Sequence, residues 1–375
     1  MKIGLITTLE TNIGDDFIRE GICLLLKEIF RKERIEFICV NKHRPYTVYP
    51  EWHPIHLRDF AGRLPAGRDL ARRASEKLLS RLKHSRFDDC DLIVQCGAPV
   101  FWPNCHGNEW AEPIWHEVIS RLSERIPVLN LAAGACYPWE LQPLAVEQSD
   151  DAEYIKSILG YCRLTTVRDR LARDICKSLG CEVPLIPCSA LLAARGSVAD
   201  IQSSGYILIN YMTGGGHYAW GQDIEPDKWE ETIRTLINRL RKRHKVAFLC
   251  HDEKELVLAR GVVSDIPHFL PKTVSEYFAC VSQAKFGVFN RMHASVAMAG
   301  LGIPSVAICT DTRLLMVAQL GLTTYYVNEV NEDILEEKIE SEICLLPAEQ
   351  DRLLVLQGET WDRYTSVIQD TLSLA

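Results

Sequence analysis

The chain of 375 residues is too long for one ordinary domain and matches two compact units of about 150 to 200 residues each. Apolar residues make up 47% and charged residues 25%, which excludes disorder, collagen-like repeats and coiled coil. The net charge of −8 disfavours non-specific attraction to nucleic acid, and no nucleic-acid partner is expected.

In chain order, short β-rich apolar runs alternate with longer amphipathic ones, the pattern of a mostly parallel sheet covered by helices. The first strand is expected at Lys2 to Thr7, within an apolar run too short for a signal peptide. A loop at Thr11 to Asp16 follows, then a helix on which Ile18, Ile22, Leu25, Leu26 and Ile29 recur at helical spacing. Further strands are expected at Ile35 to Val40, Leu92 to Gln95, Val128 to Ala132, Leu164 to Val167 and Val183 to Ile186. Between Arg63 and Arg86 the chain is locally basic and carries a leucine stripe at helical spacing. That segment suits either a solvated amphipathic helix or peripheral contact with an anionic membrane surface.

A polar, glycine-bearing break from Arg195 to Gly205 separates a first domain, residues 1–197, from a second, residues 205–346. The second series runs strand Tyr206 to Asn210, helix Trp229 to Arg243, strand Val246 to Cys250, helix Val274 to Gln283, strand Phe286 to Phe289 and helix Met292 to Ala299. Strands Ser305 to Ile308 and Thr324 to Val327 complete it. The tail, 347–375, carries Leu353, Leu356, Trp361, Tyr364 and Ile368 and is expected as a helix crossing back to the first domain. The fold class expected is α/β, with two Rossmann-like doubly wound domains facing a cleft. No stretch approaches about 18 uninterrupted apolar residues, and a cytoplasmic protein is expected. The 14 cysteines are scattered without a C-x-x-C pair, and Cys105-His106 and the trio Cys176, Cys181 and Cys188 lack zinc-site spacing. They read as reduced core thiols, and no metal is expected.

Ligands of open α/β sheets bind beyond the carboxyl ends of the strands, so the residues just after each strand are the site candidates. The strongest segment is Phe286 to Pro304, where a buried strand ends at Asn290-Arg291-Met292-His293 and an Ala- and Gly-rich helix begins. A helix N-terminus with an arginine fork suits a carboxylate or phosphate, and His293 is the side chain suited to proton exchange. The structural alternative pairs Arg291 with a carboxylate and uses His293 as a cap. After the second domain's first strand, Asn210 leads into Gly214-Gly215-Gly216-His217, followed by Tyr218 and Trp220. That stretch reads either as a mobile anion-binding loop with sugar-stacking rings or as a plain connection. His251-Asp252-Glu253 follows another strand and reads as a secondary site or a helix cap. The aromatic segment Phe101 to Trp110 suits a sugar cradle or a hydrophobic lid.

Arg291-Met292-His293, with the small-residue helix and Gly302-Ile303-Pro304 behind it, resembles the C-terminal signature of the polysaccharide pyruvyl transferase family. Asn12-Ile13-Gly14-Asp15 is similar to the family's Asn-x-Gly-Asp loop, Thr166-Val167-Arg168-Asp169 to its mid-chain Val-Arg-Asp/Glu, and Ser275-Glu276 agrees in position. The resemblance implies a GT-B-like pair of domains, with the acceptor on the first and the donor on the second. The reaction it implies is transfer of a pyruvyl group from phosphoenolpyruvate onto two saccharide hydroxyls as a ketal. It implies no cofactor or metal beyond the donor substrate, and a saccharide or lipid-linked saccharide as acceptor. His293 and Arg291 are the implied catalytic pair; Asn12, Asp15, Arg168, Asn210, His217, His251 and Glu276 are taken as substrate-binding.

Three departures stand out. Cys96-Gly97-Ala98-Pro99-Val100-Phe101-Trp102 replaces a glycine run, Cys188-Ser189 replaces an Asp-Pro pair, and Asn210-Tyr211-Met212 stands where many relatives place an arginine. Two other readings therefore stay open: a GT-B glycosyltransferase using a nucleotide-sugar donor, and a divergent non-catalytic binding member.

Overall fold

The computed structural model describes residues 1–9, 13–56, 84–97, 99–195, 205–218 and 220–373. Asn12, most of the basic segment 63–86 and the centre of the expected interdomain break lie outside the described residues.

Each half of the chain supplies one six-stranded parallel sheet. In the first, β1 (Lys2–Thr7) is flanked by β2 (Glu36–Asn41) and β3 (Leu92–Cys96); β3 pairs with β5 (Val128–Ala135), which also carries the short β4 (Pro99–Phe101) and β6 (Leu164–Val167). In the second, the order is β12 (Thr323–Tyr326), β11 (Ser305–Cys309), β10 (Ala284–Phe289), β7 (Tyr206–Asn210), β8 (Lys245–Leu249) and β9 (His268–Phe269). Inner strands are buried residue by residue, as sheets covered on both faces require. The arrangement is two Rossmann-like domains facing a cleft.

The expected strand at Val183 to Ile186 is reduced to one bridge, Leu185 against Val167. Pro184 and Pro187 bracket it, and a proline nitrogen has no hydrogen to give a ladder. The two-residue β9 and three-residue β4 are additions too short to carry a periodic signal.

The helix Met292–Gly300 is buried at all nine positions. Its small residues face more than its own sheet: a Cβ at Gly300 would lie 2.4 Å from the Leu191 carbonyl. The segment Ser189–Leu192 is thus clamped between this helix and helix Ile13–Ile29, where a Cβ at Gly21 would meet the Ser189 carbonyl at 1.9 Å. Apolar side chains of both domains join into one core across this seam, with Phe17 and Tyr277 ring centroids 4.5 Å apart. The last helix, Leu346–Ser373, lies over the same seam. Tyr364 donates to the Pro187 carbonyl at 3.0 Å and Gln357 to that of Gly300 at 2.6 Å, while the Arg195 guanidinium covers Trp361 at 4.1 Å.

A second tie crosses beside the cleft. The chain after β5 pairs Pro138 with Asp311 in antiparallel fashion, and Tyr137 and Thr312 exchange hydrogen bonds at 2.9 Å. Glu140 bonds Tyr326 and Gln222. Among the described residues no helix is long and apolar enough to cross a membrane.

Candidate active site

Where the carboxyl ends of the two sheets meet lies a cleft of about 610 Å³. Its first wall is built from residues just past β1, β2, β4 and β5: Thr8, Lys42, His43, Trp102 and Cys136, with Asp15 at the first helix start and Trp110. The second is built from the ends of β7, β8, β10 and β11: His217, Tyr218, Trp220, Asp252, Lys254, Arg291, His293 and Arg313. The strand-end rule therefore accounts for most of the lining.

Arg291 is the N-cap of its helix, with only 10% of its side chain exposed. Its Nε donates to Glu255 Oε1 at 2.6 Å, Nη2 reaches Asp252 Oδ2 at 3.5 Å, and Nη1 faces His217 Nδ1 at 3.3 Å. The carboxylate pairing of the structural alternative is present, yet the guanidinium still borders the cleft. Glu255 is 3% exposed and accepts again through Oε2, from the Asn210 amide at 2.8 Å and the His251 backbone at 2.7 Å. An arginine cannot donate to another donor's hydrogen, so His217 Nδ1 is the acceptor and the proton sits on Nε2. Removal from water, then Arg291 and Arg313, push the His217 imidazole down to about 4.

His293 has its Nε2 3.1 Å from Arg168 Nη1. The same logic makes Nε2 the acceptor and leaves the proton on Nδ1. Burial, followed by Arg168, Arg313, His251 and Arg291, holds His293 well below the usual histidine range. In the free protein these influences favour the neutral ring.

Arg168 lies behind His293, 1% exposed, and its Nε and Nη2 are buried without partners. Its neighbour Asp169 is spent on the amides of Ala135 at 3.0 Å and Ala172 at 2.8 Å. Cys188, at the place of the family's aspartate, sets only its thiol 3.6 Å from Arg168 Nη1. No carboxylate therefore reaches this cation from position 188. Arg313 reaches the same wall from just past the end of β11, held by both oxygens of buried Asp311 at 2.8 and 2.7 Å, over the Tyr218 ring.

Other candidates fall elsewhere. Asn210 sits beneath the site, 2% exposed, accepting from the Arg291 backbone at 3.1 Å. His251 is outside the lining, edge-on to Tyr277, with both ring nitrogens unpartnered and burial pushing it down to about 3. Glu276 is exposed and closes a capping box with Thr273, accepting from the Lys272 backbone at 2.8 Å, so its position agrees with helix capping rather than the cleft. The glycine loop is packed rather than open: Gly214 and Gly215 take positive φ, and a Cβ at Gly216 would lie 2.1 Å from Thr310 Oγ1. Its glycines allow close approach to β11 and so aim His217 at Arg291.

Lys42, Arg313 and Glu255 were not singled out by the sequence reading. Lys42 and Arg313 follow strands and were accessible to the rule that found Arg291. Glu255 lies one turn inside helix Glu253–Val262, where no sequence signal separates it from a surface glutamate.

The fold is similar to that of S. aureus MnaA solved with UDP, at 12% identity and a TM-score of 0.56, covering 100% of this chain and 97% of that one. It is also similar to the UDP-GlcNAc 2-epimerase from Neisseria meningitidis bound to UDP-GlcNAc, at 11% identity and a TM-score of 0.56, covering 100% of both chains. At such identities the likeness shows the fold alone, a GT-B-like pair of domains. No curated protein matches the chain by sequence. A model of polysaccharide pyruvyl transferases matches residues 12–311, a span that includes Arg168, His217, Arg291, His293 and the Asp311 that holds Arg313. The chain is a transferase that belongs to the polysaccharide pyruvyl transferase family.

Proposed function

We propose that the enzyme moves the pyruvyl group of phosphoenolpyruvate onto two hydroxyls of a saccharide, releasing phosphate and leaving a ketal. The observation that carries this reading is the convergence of Arg168, Arg291 and Arg313 on His293 at the start of an interior helix, opposite a wall bearing Trp102 and Trp110. A small donor with a carboxylate and a phosphate matches that charge, and aromatic faces match a sugar ring.

In this reading the donor's negative charge enters a pocket whose positive charge keeps His293 neutral, so binding raises the affinity of His293 for a proton. The unpartnered Nε and Nη2 of Arg168 turn to the donor, which frees His293 Nε2. The imidazolium then gives its proton to the methylene carbon, and a cation stabilised by the adjacent oxygen forms at the central carbon. The first hydroxyl adds there and returns its proton to His293. The carbon–oxygen bond to phosphate breaks, with His293 protonating the leaving phosphate. The second hydroxyl closes the ketal and restores the imidazolium. Asp15, on the opposite wall, is placed to orient the hydroxyls. Arg291 and Arg313, preset by Glu255 and Asp311, hold the anion without reorganising. A cytoplasmic location, and a lipid-linked acceptor approached through segment 63–86, belong to the same reading.

The test is calorimetric titration with phosphoenolpyruvate and, separately, with UDP-GlcNAc and other nucleotide sugars. Binding of phosphoenolpyruvate is expected. Binding of nucleotide sugars alone would replace pyruvyl transfer with glycosyl transfer. His293→Ala should stay folded, with its unfolding midpoint lowered by loss of the Arg168 bond, and lose turnover; full turnover in that variant rejects the proton relay.

A further inference from the structure

Lys42 is a buried cation that the pyruvyl-transfer steps leave unused. It follows β2, is 5% exposed, and borders the cleft on the wall opposite Arg291 and His293. The Asn41 side chain fixes this turn by donating to the Leu9 carbonyl at 3.2 Å and accepting from the His43 backbone at 3.1 Å. Among the described residues its ammonium has no carboxylate within ion-pair distance. Its contact is the face of Trp110, 5.0 Å from the ring centroid. The acids that act on it from the same wall are Asp15, beyond ion-pair distance, and Glu109, which is taken by His43 Nδ1 at 2.7 Å. Trp110 in turn meets Trp102, with centroids 5.6 Å apart and planes inclined by 58°. Burial alone would favour loss of the lysine proton, and its pKa is lowered accordingly. Holding an ammonium out of water without a partner is costly. A ligand that brings an anion to it reverses that cost, and the rings beside it are where a sugar would stack.

We infer that the acceptor saccharide is anionic, and that Lys42 binds its negative substituent while Trp102 and Trp110 carry the ring. The substituent is a ring carboxylate or an anomeric phosphate, both of which an ammonium would recognise. This inference rests on the pyruvyl-transfer reading for the word acceptor, although the binding it describes does not require that chemistry.

The experiment is calorimetric titration of the full chain and of Lys42→Met with matched trios in the glucose, galactose and mannose series: the methyl glycoside, the methyl uronide and the sugar 1-phosphate. Phosphoenolpyruvate is titrated in parallel. In the wild type at least one acidic member is expected to bind ten-fold or more tightly than its neutral partner. The uronide or the phosphate arm identifies the source of the charge. Lys42→Met should remove the preference and keep both phosphoenolpyruvate affinity and the unfolding midpoint. Equal affinity for all three members of every trio, undetectable binding included, overturns the inference. So does a preference that survives in Lys42→Met. Loss of phosphoenolpyruvate affinity in Lys42→Met would assign the lysine to the donor instead and also overturn it. If phosphoenolpyruvate fails to bind the wild type while a Lys42-dependent acidic preference remains, pyruvyl transfer fails and the anionic saccharide site stands.

Discussion

Replacing Arg168 by methionine should make the free protein more stable while abolishing turnover. The guanidinium is 1% exposed, two of its three nitrogens lack partners, and the third bonds His293 and the Cys188 thiol. Each buried polar group without a partner costs about 1–3 kcal/mol. Exchanging buried ionic groups for apolar ones of similar volume is neutral or stabilising by about 1–4 kcal/mol. Against this stand the hydrogen bond to His293, worth about 1 kcal/mol net, and a small void, because methionine ends short of the guanidinium. The balance is a gain of about 1–3 kcal/mol, which raises the thermal midpoint by a few degrees in a chain of this size. Calorimetric scans of both proteins without ligand measure the first effect, and phosphate release from phosphoenolpyruvate with an accepted saccharide measures the second. A midpoint lowered by several degrees would show that Arg168 is structurally paired. Unchanged turnover would remove it from donor binding. Either result would break the link drawn between the unpartnered nitrogens and the donor.

Glu255→Gln keeps the shape but places an amide hydrogen against Arg291, Asn210 or the His251 backbone, all of which are donors. Breaking a buried pair in this way should cost about 3–5 kcal/mol and raise the KM for the donor; a wild-type urea midpoint would refute the pairing. Acid stability provides a separate check. His251 and His217 bind protons in the fold only near about 3 and about 4, against 6.5 in the free side chain, so the unfolded chain holds more protons in between. Stability present above about pH 6.5 is lost as the pH falls through that window. Asp169, raised by burial from 3.8 to about 6, works in the opposite direction between those two values. His251→Leu should therefore flatten the acid limb of a stability–pH curve, and an unaltered limb would exonerate His251. Gly216→Ala must displace its loop, since the new Cβ would lie 2.1 Å from Thr310 Oγ1. A loss of about 1–3 kcal/mol and a raised donor KM are expected, and wild-type values of both would show that the loop does not aim His217.

Strand positions and the two-sheet architecture were legible in the order of the residues, because a strand buried on both faces leaves a short apolar run wherever it falls. Arg291 and His293 were legible for the same reason: they follow such a run and start a helix. The tail helix was readable in its spacing, but its seat on both Pro187 and Gly300 was not.

Tertiary structure alone decided which of the strand-end residues are usable. His251 and His217 follow strands in the same domain, yet one is sealed beside Tyr277 and the other opens on the cleft. The side of a turn that faces solvent depends on what the neighbouring segment contributes, and here the residue just past β11, Thr310, stands against Gly216. The charge state of His293 was likewise undetermined by its identity. Of the arginines that keep it neutral, Arg168 and Arg313 come from other segments. The chain order therefore specified where the chemistry could be, through local periodicity and strand ends. Long-range contacts settled its protonation and its reach, because electrostatic fields and burial add up over everything nearby in space.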